Sequence, residues 1–519
     1  MRVLEWLVGP EAAGEGKTTH LLPRWIFLRA LGLIYFSAFY SFLFQIKGLF
    51  GSQGILPVRE YLPAVKQYYP GIKAIWFAPT LFWFGSSDHA LMIVCWLGIA
   101  ASLAVVFNLW PRLSLVVCLV CFLSFISTAQ EFSSYQSDGM LLEAGFISLF
   151  FAPPGLRPGL GATHLPSRAS RFLLQWEWFR IYFESGLVKL VSGDYSWRHL
   201  TAMDDYYQNG PLPTWIGWYV QHLPQKFHAF TALLTLVMEL GIVFMLFLPR
   251  RLRVICFFIV TPFQIGIILT ANYTFLNYLV LALGVLLLDD GFIRPILPQR
   301  WREPIKMEES RPPTRGKLEA WMVPMRRMIA GISLWWIFYA TTVLMFAIFP
   351  RGNVFPDGPV QLLEPFRIAN RYGLFANMTH QRYEIEFQGS NDGVTWTPYP
   401  FRYKPQDPTK APGIYAPYQP RFEWNLWFAS LESGLQNPWV RETEERLLTN
   451  SQQVLSLFAG NPFPNGPPQK VRAVISQYWF TDMETKRKTG AWWRRELLGL
   501  YANSLERTPE GKIKVSDSE

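Results

Sequence analysis

One stretch of this chain combines the apolar character of a membrane span with side chains able to do chemistry. Residues 172–191, FLLQWEWFRIYFESGLVKLV, carry Glu177, Arg180, Glu184 and Lys189 among apolar neighbours. On a helix, Glu177, Arg180 and Glu184 fall at i, i+3 and i+7 and share one stripe. An ionisable group inside hydrocarbon is expensive unless paired or wet, which marks such residues as functional candidates. Two roles fit. Arg180 can bridge both carboxylates in a structural cluster that holds helices in register, the favoured reading, or the stripe can form a proton relay along a polar cavity. Lys189 lies five residues past Glu184 and points off the stripe. Its place near the end of the stretch favours an ammonium snorkelling to the interface over a desolvated lysine acting as a base. Glu143 and Glu239 sit in two other apolar runs, and each is a candidate partner for Arg180.

The segment that follows, SGDYSWRHLTAMDDYYQNGPLPTW, places Trp197, Arg198, Asp204 and Asp205 in a long loop. His199 with the two aspartates matches no specific ligand spacing, so no metal is expected. Cys118 and Cys121 form a CxxC, but no polar activator accompanies them. Packing of small residues is the better reading. No phosphate loop, dinucleotide fingerprint or GxSxG occurs, and no cofactor is expected.

The elements that must position these residues follow from hydropathy. A helical span needs about 20 apolar residues. Candidates are 25–44, 89–107, 113–130, 140–152, 172–191, 228–248, 254–271, 274–289 and 328–349, about nine spans in all. Residues 75–84, IWFAPTLFWF, are too short to span and read as interfacial or re-entrant. Composition agrees: 50% of the 519 residues are hydrophobic and only 17% charged, against about 25% charged in soluble domains. The 22 tryptophans suit a membrane–water boundary. The net charge of +10 is concentrated in short connectors rather than in a nucleic-acid patch, and no nucleic-acid partner is expected.

Those connectors set an orientation. Arg250, Arg251 and Arg253 lie in one, and Arg294, Arg300, Arg302, Lys306, Arg311, Arg315, Lys317, Arg326 and Arg327 in another. Both fall on the side of the N-terminus and of Arg157, Arg168 and Arg171. The turns at 131–139 and 272–273 carry no Lys or Arg. The N-terminus is therefore expected in the cytoplasm, with long loops 45–88 and 192–227 and the C-terminal region outside.

From about Arg351 the pattern becomes strand-like. RYEIEFQGS, NDG and VTWTPYPFRYKP read as a hairpin turning at Asp392-Gly393. QKVRAVISQYWFTDM and GAWWRRELLGLYAN read as a second pair, and 437–459 as a helix. The expected fold is an α-helical multipass membrane bundle followed by a small β-rich α+β soluble domain. Its divisions are a cytoplasmic tail at 1–24, the helical domain at 25–349, a β-rich domain at 350–505 outside the membrane, and a disordered tail at 506–519.

These residues together resemble the lipase maturation factor family. The likeness rests on GILPVREYLP, SGLVKLVSGDYSWRHLTAMDDYYQNGPLP, YGLFANMTHQRYEIEFQGSNDGVTW, FRYKPQDPTKAPGIYAPYQPRFEWNLWFASL and NPFP, and it runs nearly the whole chain. It implies a multipass protein with a lumenal or periplasmic C-terminal domain, whose eukaryotic members assist folding and assembly of dimeric lipases in the endoplasmic reticulum. The chain departs in having no cysteine in its outer segments, which puts a thiol-based role in doubt. Sequons at Asn272 and Asn377 stand by composition alone. Without a eukaryotic targeting signal, a bacterial inner-membrane member is expected. A second, shorter resemblance, GLVKL followed by Trp, is to vitamin K-dependent γ-carboxylases, and it implies a base role for Lys189 alone.

Three functions follow. The first is a non-enzymatic assembly factor whose outer domain holds an exported, lipase-like client; edge strands and Trp424, Trp427, Trp492 and Trp493 could supply contact area, although for these tryptophans a place in the core is the favoured reading. The second is a membrane enzyme acting on quinol or lipid through Lys189. The third, a transporter, lacks inverted repeats or matched broken helices. Membrane lipids are partners in each case.

Overall fold

The computed structural model describes residues 19–133, 135–299, 302, 317–349 and 355–516, with backbone alone at 317–323. Apolar runs in a bilayer have no water to satisfy their backbone groups, so they close their hydrogen bonds internally as helices. The first two are α1 (Leu21–Leu43) and α2 (Asp88–Val106), followed by α3 (Pro111–Ile126) and α4 (Gln136–Phe151). The chain then forms α5 (Arg168–Val191), α6 (Ala202–Asn209), α7 (Trp215–Gln221), α8 (Gln225–Leu240), α9 (Arg250–Thr270), α10 (Leu276–Gly284) and α11 (Lys317–Phe346).

Each of the nine apolar stretches contains helix, but among the described residues five helices are long and apolar enough to cross a membrane: α1, α2, the continuous run Gln225–Phe247, α9 and residues 324–346. A sixth arises if Leu276–Leu287 and Asp290–Ile296, bent by 89°, count as one span. The chain is a membrane protein with five to six such spans by this measure. α4, with 16 residues, falls short in length, and α5 falls short in apolar character for a physical reason. Both are buried almost throughout and face other helices instead of lipid, so they carry Asp138, Glu143, Glu177, Arg180 and Glu184 where a lipid-facing helix has only apolar side chains. α5 is the centre of the bundle and packs on α4, α8, α10 and α11.

One end of the bundle collects polar connectors. Arg24 donates to the carbonyls of Leu160 and His164, both at 2.7 Å. Asp290 accepts from the N–H groups of Leu21 and Leu22, and Arg250 pairs with Asp289. Residues 1–18 and Arg300, Lys306, Arg311 and Arg315 lie outside the described residues. The other end carries the turns at 131–139 and 272–273, and there the C-terminal part is seated.

That part is a small antiparallel sheet with helices against it. Its strands are β1 (Arg382–Ser390), β2 (Thr397–Pro398), β3 (Lys470–Phe480), β4 (Trp493–Leu500), β5 (Leu505–Arg507) and β6 (Ile513–Val515). The expected hairpin forms, with Gly393 at φ +75° and Asp392 Oδ1 accepting from the N–H groups of Val394 and Thr395 at 2.8 and 2.7 Å. Its second arm is only two residues long, because prolines cannot extend a ladder. β1 instead pairs along its whole length with β3. β3 then pairs with β4, as expected for the second hairpin, and with β5.

Two expectations are corrected here. The tail expected to be disordered supplies β5 and β6, and Leu505 is fully buried in the core. The helix expected at 437–459 breaks into Pro438–Leu448 and Gln452–Leu455 at Asn450, which takes a left-handed φ of 54°. Trp424, Trp427 and Trp493 are buried, in line with the core reading, and Trp492 is half-buried against Trp218 at 5.2 Å.

The seat is made by both long loops. Gln53 N donates to Gln453 Oε1 at 2.9 Å, and Ser451 Oγ to the Gln53 carbonyl at 2.8 Å. Arg382 donates to the carbonyls of Gln208, Gly210 and Pro211. Helix α12 (Arg421–Ala429) plants Arg421 on Asp138 in a two-bond fork at 2.7 and 2.8 Å, with its guanidinium 4.3 Å from the Phe42 ring centroid. Asn272 accepts from Tyr415 N and Ala416 N and donates to the carbonyl of Gly413. One of the two sequon asparagines is thus buried in the interface, while Asn377 is exposed.

Candidate functional site

The charged stripe of α5 divides into two sites. In the first, Arg180 pairs with Glu143 of α4 and stands 3.6 Å from Glu184. Sequence reasoning left Glu143 and Glu239 as equal partners for Arg180; the helix rotation selects Glu143. The bridge from Arg180 to Glu177 does not form: both Glu177 oxygens lack a hydrogen-bond partner among the described residues. All four side chains are buried.

What completes the cluster is backbone, which the sequence did not indicate. Residues 370–373, leading into the sheet domain, insert beside α4 and α5. Arg180 donates to the Asn370 carbonyl at 2.7 Å. Glu143 accepts from Asn370 N at 3.0 Å, Glu184 from Tyr372 N at 2.6 Å, and Gln136 from Gly373 N at 2.8 Å. Irregular backbone is tolerated at such depth only where protein satisfies it. Arg180, Glu143, Glu184 and Gln136 supply that satisfaction, so the geometry is that of a socket for this segment. Close approach is built in on both sides. A Cβ at Gly139 would lie 2.4 Å from Asn370 Oδ1, and one at Gly373 would lie 2.8 Å from Val188 Cγ1.

The second site lies on another face of α5. Lys189 is buried and does not snorkel. Its Nζ donates to both Glu239 oxygens at 2.9 and 2.8 Å and to Ser185 Oγ at 2.6 Å, with the Trp197 ring centroid 5.1 Å away. The snorkelling expectation fails because α8 brings a carboxylate to the same depth, and pairing there replaces hydration at the interface. A cavity of about 310 Å³ opens beside this pair, bounded by α5, α8, α9 and α6. Its wall includes a hydrogen-bonded chain: Tyr182 Oη donates to Gln264 Oε1 at 2.8 Å, and Gln264 Nε2 to Asn277 Oδ1 at 2.8 Å.

The outer-loop candidates scatter. Trp197 is buried, with Nε1 on the Phe375 carbonyl at 2.8 Å, and it lines the cavity. Arg198 is exposed. Asp205 meets His380 Nδ1 at 2.8 Å, while His199 turns to the Tyr195 carbonyl. Among the described residues no group of three His, Cys, Asp or Glu is placed to hold a metal. Asp194 does the loop's structural work. Burial pushes its carboxyl up, but the N–H groups of Met378 and Ser196 outweigh this and hold it below its ordinary value. Burial raises the Tyr206 hydroxyl at the cavity's outer end. The four cysteines are buried free thiols.

Sequence reasoning missed Asn370, Asp138, Arg421 and Gln264. Asp138 stood just outside the apolar run expected at 140–152, and Arg421 lay in a conspicuous block, but nothing in a linear pattern couples residues some 280 positions apart.

Comparison with known proteins bears on the whole chain. The family model described as lipase maturation factor transmembrane domain matches residues 22–295, and that described as lipase maturation factor C-terminal domain matches residues 368–503. The chain is 32% identical to lipase maturation factor 1 of Bos taurus over 514 residues, covering 94% of this chain and 90% of the relative. It is 31% identical to lipase maturation factor 2 of Gallus gallus, covering 91% of this chain and 80% of the relative. For lipase maturation factor 1 of Mus musculus the identity is 31%, covering 93% and 87%. No solved structure matches.

Proposed function

Since the chain belongs to the lipase maturation factor family, we propose that it is a membrane-bound factor that assists the maturation of exported lipases by holding them, without chemistry at Lys189. The match of both domains in one continuous chain carries this reading. The lysine is already engaged by Glu239 and Ser185, and the comparisons favour this reading over a carboxylase-like enzyme.

The client surface we assign is the free edge of β4. Among the described residues this strand pairs with β3 alone. Ile475 pairs with Gly499 and Ser476 with Leu497, so Leu498 is an extra, bulged residue. Leu497 is 59% exposed and Leu498 50%. A bulge disrupts the ladder at an edge, so the contact we assign is made by the exposed Leu497 and Leu498 side chains against an apolar surface of the partner. Trp424, Trp427 and Trp493 are buried and do not serve as this surface.

We further propose nine spans, counting the shorter or more polar α3, α4, α5 and α10, with the arginine-rich connectors cytoplasmic and the sheet domain periplasmic or lumenal. The segregation of connectors and sheet domain to opposite ends of the bundle supports this orientation. The helical domain at 25–349, the soluble domain beyond it and a bacterial inner-membrane location belong to the same reading. A photocrosslinking residue at Leu498, in cells secreting a lipase, is expected to capture the immature lipase. Deleting the gene is expected to lower secreted lipase activity more than lipase synthesis. Unchanged lipase activity in the deletion strain, with no lipase captured, sinks the proposal.

A further inference from the structure

The bilayer-facing helices α8 and α9 are joined by the short 3-10 segment Ile242–Phe247 and make little contact with each other elsewhere. They diverge from that joint, and α6 and α7 close the wider end by packing on α8 and α9 respectively. The cavity of about 310 Å³ lies in this wedge. Residues of its lining reach the outside surface on both helices: Phe227 is 38% exposed, and Gly266 is exposed. The surfaces around that opening are apolar, with Phe230 and Leu233 outward on α8 and Ile265 and Leu269 on α9. The opening therefore faces hydrocarbon and not water.

The lining specifies what can enter. Its only charged residues are Lys189 and Glu239, which neutralise each other. The amides of Gln264 and Asn277 are bonded to each other and to Tyr182. Among these buried lining groups the Tyr273 hydroxyl has no hydrogen-bond partner among the described residues; with the two charges neutralised, the wall offers nothing to a charged ligand and a hydroxyl to an uncharged oxygen, while the rest is largely carbon. A dry cavity of roughly 150 Å³ takes a benzene ring; one about twice that size has room for about a dozen carbons. We infer that the wedge between α8 and α9 is a lateral binding site for an acyl chain of an uncharged bilayer lipid, of the diacylglycerol class, entered from the membrane past Gly266.

This site does not depend on the client reading. The test uses full-length protein in native membranes with a diacylglycerol carrying a diazirine in its acyl chain, and hexadecanoic acid with the same group as the charged comparison. Labelling by the diacylglycerol is expected on residues 225–240 and 250–280, and unlabelled diacylglycerol is expected to compete it away. Gly266→Phe places a ring at the opening, where an added Cβ meets nothing within 4 Å. It is expected to cut this labelling at least tenfold at unchanged protein abundance. Thr231→Phe, on the facing helix, does the same from the other wall, and Ile93→Phe on the exposed face of α2 leaves labelling unchanged. Labelling that does not saturate, that survives both filling variants, or that is as strong with the fatty acid overturns the inference.

Discussion

Lys189 and Glu239 face each other across the contact of α5 with α8, the ammonium 2.8 and 2.9 Å from the two carboxylate oxygens. Removing one member leaves the other charged, buried and alone, which costs about 3–5 kcal/mol. Lys189→Met and Glu239→Leu are each expected to lower the steady-state level of the protein sharply. The double variant is expected to recover most of the loss, since two apolar side chains replace the pair. If the protein's effect on lipase activity recovers with abundance, the lysine is structural. Full abundance without function would instead mark Lys189 as a chemical participant.

Arg180 and Glu177 are expected to behave oppositely although they lie one turn apart on α5. Arg180→Met strands the Glu143 and Glu184 carboxylates and the Asn370 carbonyl, and it should loosen the segment at 370–373. Limited proteolysis is then expected to cut near there much faster than in the parent. Glu177→Met removes two buried oxygens without hydrogen-bond partners. It is expected to leave thermal stability unchanged or to raise it, by up to about 1–3 kcal/mol.

Gly48 tests the seat of the sheet domain on loop 45–88. A Cβ there would stand 2.6 Å from Leu457 Cγ and 2.7 Å from the Gln453 carbonyl oxygen. One of these is backbone and cannot turn aside, so Gly48→Ala is expected to cost about 1–3 kcal/mol and to expose the 450–460 region to hydrogen exchange. Gly358→Ala meets nothing within 4 Å and serves as the silent control.

Glu506 predicts a pH dependence of the last strands. Hydrogen bonds from Lys514, Ser516 and Lys470 lower its carboxyl from an ordinary value of 4.5 to about 2. A depressed folded value means that its contribution is fully present above pH 4.5 and is lost as pH falls towards 2. Amide exchange in β5 and β6 is expected to accelerate over that window, more than in β1 or β3. In Glu506→Gln this acid step should vanish, and exchange in β5 and β6 should already be faster at neutral pH.

Much of the architecture was legible from local pattern. Long apolar runs must be helices in hydrocarbon, Asp392-Gly393 must turn, and period-two stretches must pair as strands, because each follows from the backbone needs of a few adjacent residues. The family was legible too, through blocks such as PRFEWNLWFASL. The charged stripe on α5 was visible as well, since 3.6 residues per turn place Glu177, Arg180 and Glu184 together. Tertiary structure alone decided the partners. Which carboxylate meets Arg180 or Lys189 depends on how α4 and α8 are rotated and how deep they sit, and hydropathy does not encode rotation between helices. The insertion of residues 370–373 into the bundle, the seating of Arg421 on Asp138, and the wedge between α8 and α9 all arise from contacts between distant parts of the chain. A linear pattern states how each residue relates to water and lipid; only packing states which residue stands opposite it.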